Sequence, residues 1–246
     1  MAGARGSCPT RERKDQMQRY LITGASRGIG RAIAERLAAE GRHLLLHGRD
    51  REALNETATL VKAKGAETSI HVYDLSDGAE LEALIRAAAH EPLTSLVNNA
   101  GIGLAKPFEE MTLAEWNRLL TVNVTAPLRL IQGVTPLMHV GASIVNINSI
   151  SGKTTFPNWS GYTAAKFALD GLSKCIREEL RPRGIRVINI YPASTDTDIW
   201  GDIDGDWPRE KMMAATQVAE AVAFALERPG DTLIEDITLG NIAGRL

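Results

Sequence analysis

Cysteine is almost absent from this chain of 246 residues, which contains only Cys8 and Cys175. Cys8 lies in a polar stretch and Cys175 in a helical pattern, so a disulfide framework is not expected. Five histidines are present, and their spacing is not that of a metal site. They are His43, His47, His71, His90 and His139. We therefore expect a reducing, cytoplasmic setting and no bound metal.

Long hydrophobic runs and an excess of one charge are also lacking. The apolar runs are short and interrupted, which predicts no membrane-spanning helix. A net charge of −2 gives no indication of a surface for nucleic acid or membranes, and we expect neither as a partner. Residues 1–16 lack the apolar core of a secretory signal, and we expect them to form a disordered lead. Residues 17–246 are long enough for one domain whose partners are small molecules or further copies of the chain.

Short apolar runs alternate with longer segments of helical periodicity. The predicted strands are 20–22, 44–46, 70–73, 93–97, 143–147, 185–190 and 232–238. The predicted helices are 28–40, 50–64, 77–90, 113–139, 162–181 and 216–227. This alternation predicts an α/β fold, a doubly wound parallel sheet of the Rossmann type with helices on both faces. In such a fold, ligands bind at the carboxyl ends of the strands.

A glycine-rich turn follows the first predicted strand and opens a helix, with the spacing G-x-x-x-G-x-G. Glycine permits a tight turn and close approach of a pyrophosphate, and the helix N-terminus offers free N–H groups. Many strand–helix turns need glycine, so position after the first strand is what favours a dinucleotide site. The candidate cofactor contacts here are Gly24, Ser26, Arg27, Gly28, Ile29 and Gly30.

The end of the second predicted strand indicates which dinucleotide would bind. An acidic residue there would bind the ribose 2′-hydroxyl of NAD, but the sequence has His47-Gly48-Arg49. Arg49 and Arg27 together suit a 2′-phosphate, because a guanidinium group can bind phosphate through two hydrogen bonds. The alternative is that both arginines are solvated turn residues. We favour NADP(H) over NAD(H), and we interpret Asp50 as the N-cap of the next helix.

Two further strand ends carry candidate cofactor contacts. Asp74, followed by Leu75, could accept a hydrogen bond from the adenine amino group or could be an ordinary turn residue. The fourth predicted strand runs into Asn99, Ala100 and Gly101. An asparagine side chain there can tie neighbouring strands together, and the small residues let a cofactor lie against the backbone.

Tyr162 and Lys166 lie one turn apart on a predicted helix. A phenol has a pKa of about 10, and a nearby ammonium would lower it toward a value useful for acid–base chemistry. Lys166 could also bind ribose hydroxyls. Alone, such a pair is usually a surface pair, but Ser149 lies thirteen residues upstream at a predicted strand end. Ser149 could hold a substrate oxygen, and Gly152 favours it over the alternative, Ser151.

Asn123 lies within the long predicted helix 113–139, where asparagine is not a strong helix former. It has either a specific role or a packing role.

Together these residues resemble the short-chain dehydrogenase/reductase family, from about residue 19 to residue 239. The matching motifs are Thr23-Gly24-x-x-x-Gly28-x-Gly30, Asn98-Asn99-Ala100-Gly101, Asn123, Ser149 and Tyr162-x-x-x-Lys166. The resemblance implies a Rossmann fold with about seven parallel strands. It also implies an NADP(H)-dependent oxidoreductase that acts on a carbonyl compound or a secondary alcohol.

The family pattern implies a role for each of these residues. Tyr162 exchanges the proton, Ser149 orients the substrate, Lys166 tunes Tyr162 and holds ribose, and Asn123 supports a water relay through a helix distortion. Thr197 stands where the family contacts the nicotinamide carboxamide.

The run that leads to Thr197 departs from the family pattern. Pro192 and Thr195 lie in this run as further cofactor candidates. Ala193 replaces a usual glycine, and Thr195 replaces a usually apolar residue.

The resemblance extends to the substrate lid and to assembly. The segment after Thr197 corresponds to the lid, and Trp159, Trp200 and Trp207 form either an aromatic wall or ordinary core. The motifs are similar to those of both 3-oxoacyl-[acyl-carrier-protein] reductases and sepiapterin reductases. Family members commonly form homodimers or homotetramers through helices that correspond to 113–139 and 162–181.

Two other functions compete with a carbonyl reductase. A catalytically inactive NADP-binding sensor or scaffold would not need Ser149, Tyr162 and Lys166 together. A sugar-nucleotide epimerase or dehydratase is disfavoured because those chains are longer and use a different glycine spacing.

Overall fold

The structure is a computed structural model, which describes residues 17–229 and 232–242. The predicted disordered lead, residues 1–16, lies outside the described residues. The strands are β1 (Gln18–Ile22), β2 (Arg42–Gly48), β3 (Glu67–Val72), β4 (Ser95–Asn98), β5 (Ser143–Ile147), β6 (Arg186–Pro192), β7 (Thr195–Asp196), β8 (Met213–Ala214) and β9 (Asp236–Leu239). Seven of these described strands form one sheet in the order β3-β2-β1-β4-β5-β6-β9, with every neighbouring pair parallel.

Helices cover both faces of this sheet. They are α1 (Gly28–Leu37), α2 (Arg51–Lys62), α3 (Gly78–Ala88), α4 (Leu113–Leu120), α5 (Ala126–Val134), α6 (Ser160–Leu180) and α7 (Ala215–Leu226). Side chains of α1, α2 and α7 pack in one buried cluster and those of α3, α5 and α6 in another. Along β2, Leu44 and Leu46 join the first cluster and Leu45 the second. The predicted doubly wound α/β fold is therefore confirmed.

The strand order reverses between β1 and β4, which meet at the middle of the sheet. Ile22 at the end of β1 pairs with Leu46 on one side and with Val97 on the other. Such a reversal opens a crevice at the carboxyl ends of the strands, because the connections leave in opposite directions. The glycine-rich turn lies at this crevice.

The predicted helical region 113–139 is helical from residue 113 to residue 137, but it is not one uniform α-helix. It is divided into α4, a π-helical turn at Thr121–Thr125, α5 and a 3₁₀ turn at Thr135–Leu137. Pro127 stands in the first turn of α5, where the missing N–H of proline is tolerated.

The last strand begins at Asp236 rather than at residue 232. Leu233 and Ile234 pack against the core without joining the sheet. Within the part of the chain described, no helix combines the length and apolarity that a membrane span needs.

Candidate active site

A cleft of about 320 Å³ opens at the carboxyl ends of the central strands. Its lining includes residues that directly follow β1, β2, β3, β4 and β5. The structure brings the predicted site residues to this one cleft, with two exceptions, Gly30 and Asn123. Gly30 and Asn123 lie behind the lining and contact the residues that form it.

The glycine turn is shaped by close backbone packing. Gly24 has φ +66°, and a Cβ added there would lie 2.9 Å from the Cα of Ala100. A Cβ on Gly30 would lie 2.0 Å from the carbonyl oxygen of Gly24, so Gly30 permits packing and does not face the cleft. The first turn of α1 has no side-chain cap and no acidic residue. Its free N–H groups therefore fit the pyrophosphate of a dinucleotide.

His47 is a supporting residue that sequence reasoning missed. Its ring accepts a hydrogen bond from the Gly24 N–H at Nδ1 (3.4 Å) and donates from Nε2 to the Tyr73 carbonyl (3.1 Å). Burial lowers the pKa of His47 to about 4, so the ring is neutral at physiological pH. The imidazole thus joins the glycine turn to the end of β3. A histidine at a strand end carries no sequence signal for this role.

The two arginines expected near a 2′-phosphate differ in their surroundings. Arg27 forms an ion pair with Asp202, which lies beyond Thr197 in the lid segment, residues 198–212. Among the described residues, Arg49 makes no hydrogen bond or ion pair, and its side chain is exposed. Arg49 is therefore available to a phosphate, whereas Arg27 is shared with the lid segment.

Asp74 and Leu75 lie where the adenine was expected. Burial acts to raise the pKa of Asp74, but hydrogen bonds from Ser76 and the charges of Arg49 and Arg118 outweigh it and lower that pKa. The carboxylate accepts from the Ser76 N–H (2.8 Å) and hydroxyl (2.7 Å). Arg118 also lines the cleft, and sequence reasoning missed it because it lies on α4, far along the chain.

The asparagines after β4 tie strands together as predicted. The side chain of Asn98 donates to Asn146 Oδ1 on β5 (2.9 Å). The side chain of Asn99 donates to the Thr23 carbonyl (2.9 Å), and the Thr23 hydroxyl accepts from the Ala100 N–H (3.0 Å). The floor of the cleft is therefore held by side-chain bonds as well as by the sheet.

Asn123 lies at the centre of the π-helical turn and is 1% exposed. Its side chain accepts from the Ile102 N–H (3.1 Å) and donates to the Ile102 carbonyl (2.9 Å). Both bonds fix the loop after β4, which carries Gly101 into the cleft. The structure thus shows the helix distortion that the family pattern implies at Asn123.

Tyr162 is half-buried at the start of α6 and lines the cleft beside Ser149. Burial raises the pKa of Tyr162, and a hydrogen bond with the Ser149 side chain opposes this only in part. The expectation that Lys166 lowers this pKa is therefore not met, since burial dominates. Ser149 Oγ also accepts from the Ser151 N–H (3.0 Å), which places Ser149 rather than Ser151 against the phenol.

Lys166 is buried one turn after Tyr162. Its Nζ donates to the carbonyl of Ile147 (3.0 Å) and lies 5.6 Å from the centre of the Tyr162 ring. Burial lowers the pKa of Lys166 to about 8. At neutral pH the ammonium is charged and within range of the ring, so it can stabilise a phenolate.

The run after β6 closes the cofactor side of the cleft. The Thr197 side chain lies 3.1 Å from the position that a Cβ on Gly28 would occupy, so it abuts the glycine turn. The Thr195 hydroxyl donates to the Ala193 carbonyl (2.9 Å) and the residue is buried. This internal bond explains how a threonine stands where an apolar residue is usual.

The substrate side of the cleft is largely apolar. Its lining there includes Ile102, Phe156, Trp159, Ile199, Trp200, Ile203, Trp207 and Met212. Only the three tryptophans were expected from the sequence, because the others come from loops without periodicity. In the described residues, no group of three or more His, Cys, Asp or Glu side chains is placed to hold a metal ion.

Comparison with known proteins agrees with this geometry. A family model described as short chain dehydrogenase matches residues 18–206. An uncharacterized oxidoreductase of Staphylococcus saprophyticus is 33% identical over 224 residues, which cover 89% of this chain and 95% of that protein. The sepiapterin reductase of Chlorobaculum tepidum is 31% identical over 236 residues, which cover 91% of this chain and 96% of that protein.

A solved structure shows the same similarity in three dimensions. It is the alcohol dehydrogenase of the archaeon Thermococcus sibiricus complexed with 5-hydroxy-NADP, which is 27% identical to this chain with a TM-score of 0.85. The match covers 94% of this chain and 99% of that one. The chain therefore belongs to the short-chain dehydrogenase/reductase family of oxidoreductases.

Proposed function

We propose that the protein is an NADP(H)-dependent oxidoreductase that interconverts a carbonyl compound and a secondary alcohol, with Tyr162 as the acid or base. The observation that carries this proposal is that Ser149 and Tyr162 line one cleft with buried Lys166, whose Nζ lies 5.6 Å from the centre of the Tyr162 ring. A binding role alone would not require a phenol beside a buried ammonium, because burying the ammonium costs free energy of folding.

The residues of the chain divide the chemistry between them. The Ser149 and Tyr162 hydroxyls hold the substrate oxygen, and Tyr162 donates a proton to it in reduction. The raised pKa keeps the phenol protonated for this step. The charged Lys166 stabilises the phenolate that remains. When bound, the nicotinamide supplies or accepts the hydride.

The cofactor assignment rests on the phosphate-binding features of the cleft. The uncapped first turn of α1 would hold the pyrophosphate, and Arg49 with Arg27 would hold the 2′-phosphate. The similar archaeal alcohol dehydrogenase was solved with an NADP derivative. Asp74 would face the adenine, Lys166 the ribose and Thr197 the nicotinamide carboxamide.

The test is Tyr162→Phe, assayed by NADPH oxidation with a panel of diketones, acyl thioesters, pterins and steroids. General acid catalysis contributes about 10²- to 10⁴-fold, so kcat should fall by about that factor. Binding of NADPH, followed by its fluorescence, should be unchanged. Tyr20→Phe makes the same change outside the cleft lining and should keep full activity. Equal rates for Tyr162→Phe and the wild type would contradict the assignment of Tyr162.

We also propose a homodimer or homotetramer formed through α4, α5 and α6, the helices of regions 113–139 and 162–181. Leu113 and Phe167, on these helices, are 72% and 43% exposed, so both present apolar surface that a second copy of the chain would cover. Light scattering on the wild type and on Phe167→Asp tests this, and a monomeric wild type would overturn it. A cytoplasmic location and a single domain stay predictions from the sequence.

A further inference from the structure

Three tryptophans form a continuous aromatic cluster on the substrate side of the cleft, and the cluster reaches Tyr162. The Trp159 ring lies 5.4 Å from that of Tyr162, 5.9 Å from that of Trp200 and 5.8 Å from that of Trp207, between centroids. The Trp200 and Trp207 rings are 4.9 Å apart. All four residues line the cleft. A substrate whose oxygen meets Tyr162 therefore has indole rings beside it.

The polar ends of the lid tryptophans are already satisfied. Trp200 Nε1 donates to the Thr195 carbonyl (2.8 Å), and Trp207 Nε1 donates to the Ile203 carbonyl (3.1 Å). A buried indole N–H needs such a partner, and these bonds also fix the orientation of each ring. The two rings consequently offer carbon surface to the cleft, and their N–H groups are not free to bind a polar substrate.

The backbone around the cluster is shaped to admit these rings. A Cβ on Gly205, which has φ +141°, would lie 2.8 Å from the Trp207 ring. Asn158, just before Trp159, has φ +65°, a left-handed conformation that asparagine adopts more readily than most other non-glycine residues. The Asn158 carbonyl accepts from the Lys106 N–H (2.6 Å), which holds this turn. The aromatic cluster is thus a built feature of the cleft.

Charge is distributed unevenly along the same cleft. Four of its charged lining residues, Arg27, Arg49, Asp74 and Arg118, lie at the cofactor end. Lys166 is bonded to the Ile147 carbonyl beside Tyr162, and the remaining charged residue, Asp198, is an exposed anion. Next to the tryptophans the described lining has no cation that could balance an anionic substrate.

We propose that the substrate is an uncharged ketone, or the matching alcohol, whose carbonyl carbon carries an aromatic ring that packs against Trp159, Trp200 and Trp207. This inference rests on the proposed function of the same cleft. A planar ring presents a face and an edge to the indoles, whereas a saturated ring of the same size presents neither. An added carboxylate would lose water and gain no partner.

The experiment compares three ketones with NADPH: acetophenone, cyclohexyl methyl ketone and 3-acetylbenzoate. Aryl and alkyl ketones differ in intrinsic reactivity, so the quantity compared between proteins is the ratio of their kcat/KM values. Because one aromatic contact is worth about 0.5–1.5 kcal/mol, Trp200→Leu or Trp207→Leu should lower the acetophenone to cyclohexyl ratio about 2- to 10-fold. Trp200→Phe should restore most of the ratio. Trp116→Leu, outside the cleft lining, should leave the ratio unchanged.

A binding measurement decides the same question without turnover. Quenching of tryptophan fluorescence gives a Kd for each ketone, and acetophenone should bind the wild type more tightly than both of the other ketones. If the ratio and the Kd values do not distinguish aromatic from saturated rings, the inference is overturned, even though ketone reduction supports the proposed function. If the wild type reduces no ketone, the proposed function fails, and the Kd values still show whether the cleft prefers an uncharged aromatic ring.

Discussion

The ion pair between Arg27 and Asp202 predicts that one neutralising substitution in the lid segment will strengthen binding of NADPH. Arg27 lines the cleft at the glycine turn, and Asp202 holds its guanidinium group. A 2′-phosphate would have to share Arg27 with this carboxylate or take it over. Asp202→Asn keeps the shape of the side chain and removes its charge, so Arg27 becomes fully available to the phosphate.

The magnitude follows from exposure. The side chains of Arg27 and Asp202 are 46% and 60% exposed, and such surface pairs contribute about 0–1 kcal/mol. Asp202→Asn should therefore tighten NADPH binding by at most about 5-fold, since 1.4 kcal/mol corresponds to a factor of about ten. Arg49 has no competing carboxylate within ion-pair distance among the described residues. Arg49→Ala should lose about 1.5–3 kcal/mol, the range for a hydrogen bond to a charged group, or about 10- to 150-fold.

The assay is titration of each variant with NADPH and with NADH, followed by nicotinamide fluorescence at low and at moderate salt. Asp204→Asn removes an exposed charge from the same segment without breaking an ion pair, and it serves as the control. NADH lacks the 2′-phosphate, so none of these substitutions should change its Kd by more than about 2-fold. Weaker NADPH binding by Asp202→Asn, or an equal loss of affinity for NADPH and NADH in Arg49→Ala, would refute the assignment of Arg27 and Arg49 to the 2′-phosphate.

Three further predictions concern Lys166 in the cleft and Gly30 behind its lining. Lys166→Met should abolish turnover but raise the free energy of unfolding at pH 7 by about 2 kcal/mol, as measured by thermal denaturation. Burial has lowered the pKa of Lys166 from 10.5 to about 8, and removing the buried ammonium recovers the corresponding cost of about 3 kcal/mol. Loss of the hydrogen bond to Ile147 offsets about 1 kcal/mol of this gain. The rate of ketone reduction should fall as pH rises through about 8, because Lys166 loses its charge there while the raised pKa of Tyr162 keeps the phenol protonated. If Lys166→Arg retains some activity and its rate falls over the same pH range, a group other than Lys166 causes the decrease. Gly30→Ala should destabilise the fold by about 3 kcal/mol or more and weaken NADPH binding, since the new Cβ would lie 2.0 Å from the Gly24 carbonyl oxygen. The control is Gly171→Ala, on an open face of α6, which should stabilise the fold by about 1 kcal/mol. Equal melting temperatures for the two variants would contradict the packing role of Gly30.

The sequence predicts the fold well because its signals are local. Period-2 and period-3.6 patterns and glycine turns fix the order of strands and helices, and this order implies a parallel sheet. The run Leu44-Leu45-Leu46 has no polar face, and the structure buries Leu45 on the side opposite to Leu44 and Leu46. The prediction fails at helix interruptions, where the π-helical turn at Asn123 depends on bonds to Ile102 in another loop.

The candidate site likewise contains residues that local motifs predict and contacts that they do not. Residues in motifs at a strand end, such as Ser149, or at the start of a helix, such as Tyr162, reach the cleft as predicted, since the carboxyl ends of the strands lie together at one edge of the sheet. The engagement of Arg27 by Asp202 and the bonds of His47 depend on which side chains meet after folding. The pKa of Tyr162 could not be predicted either. Burial raises it and outweighs the expected influence of Lys166, and the extent of burial cannot be inferred from the spacing of residues in the sequence.

The position of β1 between β2 and β4 also governs when the cleft comes into existence. β2 follows β1 closely along the chain, whereas β4 reaches the ribosome exit only after α2, β3 and α3. A nascent chain that ends at α3 can pair its first three strands, but the wall of the glycine turn that Asn99 and Ala100 provide is missing. Such long-range pairing forms late in folding. The dinucleotide can therefore stabilise this protein by mass action only after β4 and the residues that follow it have been added, and it cannot assist the pairing of the first three strands.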